Sequence, residues 1–169
     1  MGLLINRAKP NPFGRTRIGA ETPTPESLLG EWVEVKNIGP DSIHFSTIQI
    51  RHLVFDPSCY ATGESECCWQ GGSDEYLKPH QTLRIHTGRE SDAPRMPEPD
   101  RIETDWHGYG GWPDFLFNIQ CGDRLIVTWR DSFERSFLDW AAYAPHPPEG
   151  AILIRSGNLL TAAGAAVSF

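Results

Sequence analysis

Residues 31–37 alternate between two kinds of side chain, and this alternation constrains the fold more than any other feature of the chain. Val33 and Val35 fall on one face of an extended segment, whereas a tryptophan, a glutamate and a lysine fall on the other. This period of two residues is typical of a half-buried β-strand. A Gly-Pro-Asp turn follows at residues 39–41, and residues 42–50 form a second β-prone run. The pattern predicts that the two strands pair as an antiparallel hairpin.

The rest of the chain consists of short β-prone segments that are separated by turns. Residues 3–8, 82–87, 124–129 and 135–143 are the clearest of these, and helical patterns are nearly absent. Such spacing is typical of an antiparallel sandwich or barrel. The inward positions predict one core that contains Val33, Val35, Ile43, Leu83, Ile85, Leu125 and Val127.

Three segments rich in turn-forming or charged residues predict surface loops. They are residues 15–29, which contain two prolines, residues 58–75, which contain cysteines and glycines, and residues 88–103, which are charged. We expect one domain over residues 1–144, with the first strand and the loop 15–29 included, because 169 residues can bury a sizeable core.

Residues 145–169 predict a proline-rich linker and a C-terminal extension. Within it, residues 151–155 are apolar and β-prone, and residues 161–169 are small and apolar and are expected to fray. An exposed sheet edge accepts an added strand. Residues 151–155 are therefore expected to pair with a sheet edge, either of their own domain or of a neighbouring subunit.

The four cysteines leave three interpretations open. Cys59, Cys67 and Cys68 share one predicted loop, and Cys121 is distant in sequence. They are structural or free thiols, or Cys59 forms a disulfide with Cys67 or Cys68, or they bind a metal. The chain lacks the paired CxxC spacing of zinc sites, so no metal and no cofactor are expected.

Charge and hydropathy restrict the partners. The net charge of -7 argues against binding to duplex nucleic acid, which requires a basic face. No apolar run has the length of a signal peptide or a transmembrane helix, so we expect a cytoplasmic protein without membrane contact. No motif of a metalloprotease, serine hydrolase, P-loop or dinucleotide site is present, so no catalytic residue is assigned.

The order of several short motifs resembles the lamin tail domain, a family that includes bacterial members. The similarity runs from residue 3 to residue 143. It rests on the opening strand and turn at 30–39, the strand at 43–50, the Leu-x-Pro turn and strand at 77–88, the Trp and Gly segment at 106–111, Gly122-Asp123, and the closing strand at 138–143.

This resemblance implies an all-β, immunoglobulin-like β-sandwich of two antiparallel sheets with long loops. It also implies a non-enzymatic protein-interaction or assembly module that binds a protein partner or associates with itself. Two rivals remain: a small metal-dependent hydrolase, and a β-sandwich that binds a sugar or another ligand through its Cys-rich and Trp-rich loops.

The best candidate for a binding surface is the aromatic stretch at residues 106–112. Trp106, His107, Tyr109 and Trp112 are interspersed with glycines, so their rings could form a recognition surface. The alternative is that the two tryptophans plug one end of the sandwich.

Overall fold

The computed structural model describes residues 2–15 and 22–162, and they form an all-β fold, as predicted. The strands are β1 (Leu3–Lys9), β2 (Trp32–Asn37), β3 (Ile43–His44), β4 (Gln49–Phe55), β5 (Ala61–Gln70), β6 (Tyr76–Leu77), β7 (Thr82–His86), β8 (Trp106–Tyr109), β9 (Asp123–Arg130), β10 (Ser136–Tyr143), β11 (Leu153–Ser156) and β12 (Leu159–Ala162). Two short helices, α1 (Pro25–Gly30) and α2 (Glu98–Arg101), accompany them. Among the described residues, no helix is both long and apolar enough to cross a membrane.

Ten strands form one continuous sheet that curls almost into a barrel. Their order is β5-β4-β9-β10-β12-β11-β1-β2-β7-β8, and β3 and β6 form a separate pair. The two end strands approach each other without a ladder of hydrogen bonds. A Cβ atom at Gly108 of β8 would lie 3.1 Å from the ring of Trp69 on β5, so glycine permits this close approach. The finer expectation of two separate sheets is not confirmed by this topology.

The seven predicted core residues all lie in one buried cluster, so that prediction is confirmed. The inward side chains of strands from both halves of the curled sheet meet there. Ile5, Ile50 and Leu77 are also fully buried in this cluster. Burial of this apolar surface is the main force that holds the sheet curled.

The strand β2 is buried on both faces, so the prediction of a half-buried strand is wrong. Trp32 and Glu34 have no exposed surface, although they lie on the face opposite the valines. The helix α1 and residues 89–103 cover this outer face of β1, β2 and β7. Glu34 is compensated there by two arginines, because its carboxylate accepts hydrogen bonds from Arg84 at 2.8 Å and from Arg7 at 2.9 Å.

The predicted hairpin between residues 31–37 and 42–50 does not form. The strand β2 pairs with β1 on one side and with β7 on the other, both antiparallel. The strand β3 pairs with β6, and β4 pairs with β5 and β9. The turn at residues 39–41 therefore links strands that belong to different pairs.

All three predicted loops contain regular structure, since α2 lies within residues 88–103. Residues 61–70, expected in a loop, form the strand β5 against β4. Residues 25–30, expected in the loop 15–29, form α1, where Thr24 caps the helix by accepting a hydrogen bond from the Ser27 amide. The remainder of that loop, at 16–21, and the tail at 163–169 lie outside the described residues.

Cys59 forms a disulfide with Cys121, so the alternative in which Cys59 pairs with Cys67 or Cys68 is wrong. Those two cysteines are free thiols. The disulfide ties the connection between β4 and β5 to the loop before β9, two regions that are 62 residues apart in sequence.

The C-terminal segment completes the sheet of its own domain. The strand β11 pairs antiparallel with β1, and β12 pairs parallel with β10. Arg155 on β11 forms a salt bridge with Asp139 on β10 at 2.9 Å, and Asp139 also accepts a hydrogen bond from the Ile5 amide. The C-terminal segment thus pairs with its own domain and not with a neighbouring subunit. Its strands lie within the order of the sheet rather than at its edge.

Candidate functional site

The four aromatic candidates lie on or beside strand β8, and Trp106 points to its inner side. Its ring packs edge-on against Phe45, with centroids 5.2 Å apart, and its indole nitrogen donates a hydrogen bond to Gln81 at 3.1 Å. It packs against the hydrophobic core. Trp106 therefore closes one end of the curled sheet, which is the role of a plug rather than of a contact residue.

Trp112 also has a structural contact. Its indole nitrogen donates a hydrogen bond to the backbone oxygen of Cys68 on β5 at 2.9 Å. The ring crosses the gap between the two end strands, where no backbone ladder exists. Substitution of Trp112 would open this gap.

His107 and Tyr109 lie on the outer side of β8 and line a pocket of about 290 Å³. The other lining residues include Trp69, Arg89 and Glu90. The structure therefore brings two of the four candidates together around one concave surface. Aromatic rings with a few charged groups at the rim are the usual composition of small-ligand pockets.

A chain of hydrogen bonds fixes His107 against a buried histidine. His86 contacts the Leu29 carbonyl through Nδ1 at 2.6 Å and His107 through Nε2 at 2.7 Å, and His107 contacts the Arg101 carbonyl at 3.0 Å. Carbonyl oxygens only accept, so the three contacts are satisfied together when the pair of rings carries three protons and hence one positive charge.

The surroundings oppose that charge. Burial lowers the pKa of His86 to about 3, and burial also lowers the pKa of His107. The neutral pair consequently leaves one of its three contacts without a proton. His107 is the less buried of the two rings.

A second and larger cleft, of about 770 Å³, lies beside His52. Asp123 accepts a hydrogen bond from Nδ1 of His52 at 2.8 Å, and Glu66 accepts one from Nε2 at 3.2 Å. Burial opposes the positive charge of His52, but its hydrogen bonds with Asp123 and Glu66 outweigh this effect and raise the pKa of His52. The two carboxylates thus favour the protonated form of the ring, which is a poor general base.

The free thiol of Cys68 is poorly suited to nucleophilic chemistry. Burial raises the pKa of the Cys68 thiol, so the reactive thiolate is disfavoured. Within residues 2–15 and 22–162, no three His, Cys, Asp or Glu side chains converge in a way that could hold a metal ion.

One exposed apolar surface was not predicted from the sequence, and we call it the bare face. It is the outer side of β4, β9, β10 and β12, and its members are Arg51, Arg124, Ile126, Leu138, Trp140 and Leu159. Leu138 is 59% exposed and Leu159 is 58% exposed, whereas the outer side of β2 is buried under α1 and residues 89–103. The signal that could have revealed it is the presence of apolar residues on both faces of β9 and β10.

No model of a known protein family matches this chain, and no characterised protein matches it either.

Proposed function

We propose that this protein is a non-enzymatic interaction module with a lamin-tail-like fold, and that it binds a protein partner or a second copy through the bare face. The observation that carries the proposal is the contrast between its two outer surfaces. One is covered by a helix and a long segment, whereas the other exposes Leu138 and Leu159. Apolar patches left exposed on a sheet are characteristic of association sites.

The family assignment is supported by the positions of the motifs that suggested it. Residues 31–37 include β2, and residues 77–88 include β7 and the turn before it. The curled sheet also has two facing halves, β5-β4-β9-β10 and β1-β2-β7-β8, which enclose the core. In this proposal the halves correspond to the two layers of an immunoglobulin-like sandwich.

The use of polar side chains supports a non-enzymatic role. The buried carboxylates of Glu34 and Asp123 are fully engaged by arginine, histidine and backbone groups. Asp100 is likewise engaged by Lys9 at 2.6 Å and by the Trp32 indole at 2.9 Å. These carboxylates hold structural elements together. A catalytic acid or base, in contrast, needs a lone pair or a proton that is free to react.

The proposal is tested by affinity capture from native lysate with the full chain as bait. A variant with Leu138→Ser and Leu159→Ser should lose specific partners, or should lose self-association in light scattering. Ile102→Ser is the matched control, because Ile102 is 45% exposed but lies next to α2, away from the bare face. Equal capture and equal association by all three proteins would overturn the proposal.

A second candidate function is the binding of a sugar or another small ligand beside Tyr109. The pocket of about 290 Å³ with Tyr109, Trp69 and Glu90 favours it. Stacking of a sugar ring on an aromatic face would place its hydroxyl groups near the charged rim. A glycan array with the wild type and Tyr109→Ala tests this function, and a wild type that retains no glycan excludes the sugar ligand.

A further inference from the structure

Two arginines lie among the apolar residues of the bare face. Arg51 on β4 is the cross-strand neighbour of Ile126 on β9, and Ile126 is the neighbour of Trp140 on β10. The guanidinium carbon of Arg124 lies 4.3 Å from the centroid of the Trp140 ring. The register therefore places each of these arginines beside apolar side chains of the neighbouring strands.

These two guanidinium groups differ from the other arginines nearby. Arg130, Arg135 and Arg155 each form a salt bridge with a carboxylate of the chain, at 3.3, 2.7 and 2.9 Å. Within the part of the chain that the structure describes, neither Arg51 nor Arg124 has such a partner. In a protein with a net charge of -7, these two cations without carboxylate partners give the bare face a local positive charge.

Arg51 is held in position although it lacks an ionic partner. Its guanidinium donates hydrogen bonds to the Ser65 hydroxyl at 2.9 Å and to the Ser65 carbonyl at 3.0 Å. Arg124 is held over Trp140 by its cation–π contact. A carboxylate that approached either group would meet an oriented donor and would lose little side-chain entropy.

We propose that the occupant of the bare face is an acidic protein segment with interspersed apolar side chains. Its carboxylates pair with Arg51 and Arg124, and its apolar side chains pack on Ile126, Leu138 and Leu159. This inference rests on the proposed function and adds the chemistry of the partner. The inference is based on charge complementarity, because the charges of an interface determine which partner approaches and in which register it binds.

Two other occupants fit the face less well. In a two-fold contact with a second copy through the same face, the guanidinium groups would meet no carboxylate among the members of that face, only further guanidinium groups, and like charges repel. Nucleic acid would need several phosphates neutralised, and the two guanidinium groups of this face are too few for that.

The test is a selection of peptides from an unbiased library of displayed random 15-residue sequences, with the full-length protein as bait. We expect the bound peptides to be enriched in Asp and Glu together with Leu, Ile or Phe. The best peptide should bind Arg51→Gln/Arg124→Gln about tenfold or more weakly than the wild type. The double variant Arg130→Gln/Arg135→Gln is the matched control, since each of these arginines already has a carboxylate partner, and it should bind as the wild type does.

Three results with added ligands overturn the acidic partner: no enriched peptide, enrichment of basic or uncharged peptides, or binding of single-stranded oligo(dT) with similar affinity. If light scattering shows that the free protein associates with itself through this face, the occupant is a second copy. That result also overturns the acidic partner. The capture experiment with Leu138→Ser and Leu159→Ser separates the two proposals. If capture is lost in that variant while no acidic peptide is selected, the bare face is an interaction surface and only the acidic chemistry is wrong.

Discussion

At the scale of single residues, the buried charge of Glu34 is the most consequential. Glu34→Gln leaves Arg84 without its anionic partner on the covered face, and leaves Arg7 with only the more distant Glu103 at 3.7 Å. Arg84 is 1% exposed, so its charge is not rescued by water. We expect the free energy of unfolding to fall by about 3–5 kcal/mol, as for other broken buried ion pairs.

Urea denaturation measures this change, and an exposed ion pair provides the control. Arg95→Gln breaks the bond with Glu26 at 2.8 Å, where both side chains are largely exposed. That substitution should cost below about 1 kcal/mol. Similar losses for Glu34→Gln and Arg95→Gln would contradict the buried network.

The apolar core gives a second prediction at this scale. Leu125 is fully buried, whereas Leu138 is 59% exposed. Leu125→Ala should lower the free energy of unfolding by about 2–5 kcal/mol, because it removes buried methyl groups and leaves a cavity. Leu138→Ala should change it by less than about 1 kcal/mol. Chemical denaturation that ranks the two variants in the reverse order would place the core elsewhere.

The two most buried histidines predict opposite pH dependences. Because burial lowers the pKa of His86 to about 3, its neutral ring contributes stability that is present above its unfolded pKa, about 6.5, and is lost as the pH falls below that value. The pKa of His52 is raised, so its contribution is present below the unfolded pKa and is lost as the pH rises through the folded value.

NMR titration of the histidine ring protons between pH 5 and pH 8 checks both directions. We expect the ring signals of His86 to stay those of a neutral imidazole down to pH 5, and His52 to remain protonated beyond pH 6.5. His86→Gln and His52→Gln assign the signals. Titration of His86 near pH 6.5 would mean that the ring is not buried as the structure has it.

At the scale of elements, the sequence predicted core positions correctly wherever inward apolar side chains alternate with outward ones along a strand. The core positions of β2, β7 and β9 follow directly from the period of two residues. The strand β5 was missed because its sequence, Ala-Thr-Gly-Glu-Ser-Glu-Cys-Cys-Trp-Gln, is poor in β-formers, and it becomes a strand by pairing with β4. The helix α1 was missed because two prolines indicated a loop, although proline is tolerated in the first turn of a helix.

The site was only partly predictable for a related reason. His107 and Tyr109 line a pocket, but Trp106 and Trp112 serve as internal contacts. Whether an outward position is covered depends on residues far away in sequence, such as the segment 89–103 over β2. Local alternation carries no information about such a cover.

The disulfide gives a prediction for the elements that it joins. Cys59→Ser/Cys121→Ser removes a cross-link between positions 62 residues apart, which should lower the free energy of unfolding by about 4 kcal/mol in the chain-entropy account. Cys67→Ser is the control, because Cys67 is a half-buried free thiol, and it should leave stability nearly unchanged. Denaturation curves without reductant test this, and equal stability of the double variant and the wild type would contradict it.

At the scale of the whole molecule, the C-terminal strands close the sheet between its first strand and β10. Deletion of residues 145–169 would remove β11 and β12 and leave the edges of β1 and β10 unpaired. We expect the shortened protein to lose its cooperative thermal transition or to aggregate, because exposed edges and core surface promote association. A monomeric truncation with an unchanged transition in scanning calorimetry and light scattering would show that these strands are dispensable.

The central claim concerns the whole surface: the protein acts through the bare face. Site-specific photo-cross-linking tests it most directly, with benzoylphenylalanine placed at Leu138 on this face or at Ile102 on the opposite side of the molecule; both residues are exposed. In native lysate, the probe at position 138 should give discrete cross-linked products of higher mass that the probe at position 102 does not give. Products from position 102 alone, or the same products from both positions, would contradict the claim that this face is where the protein meets its partner.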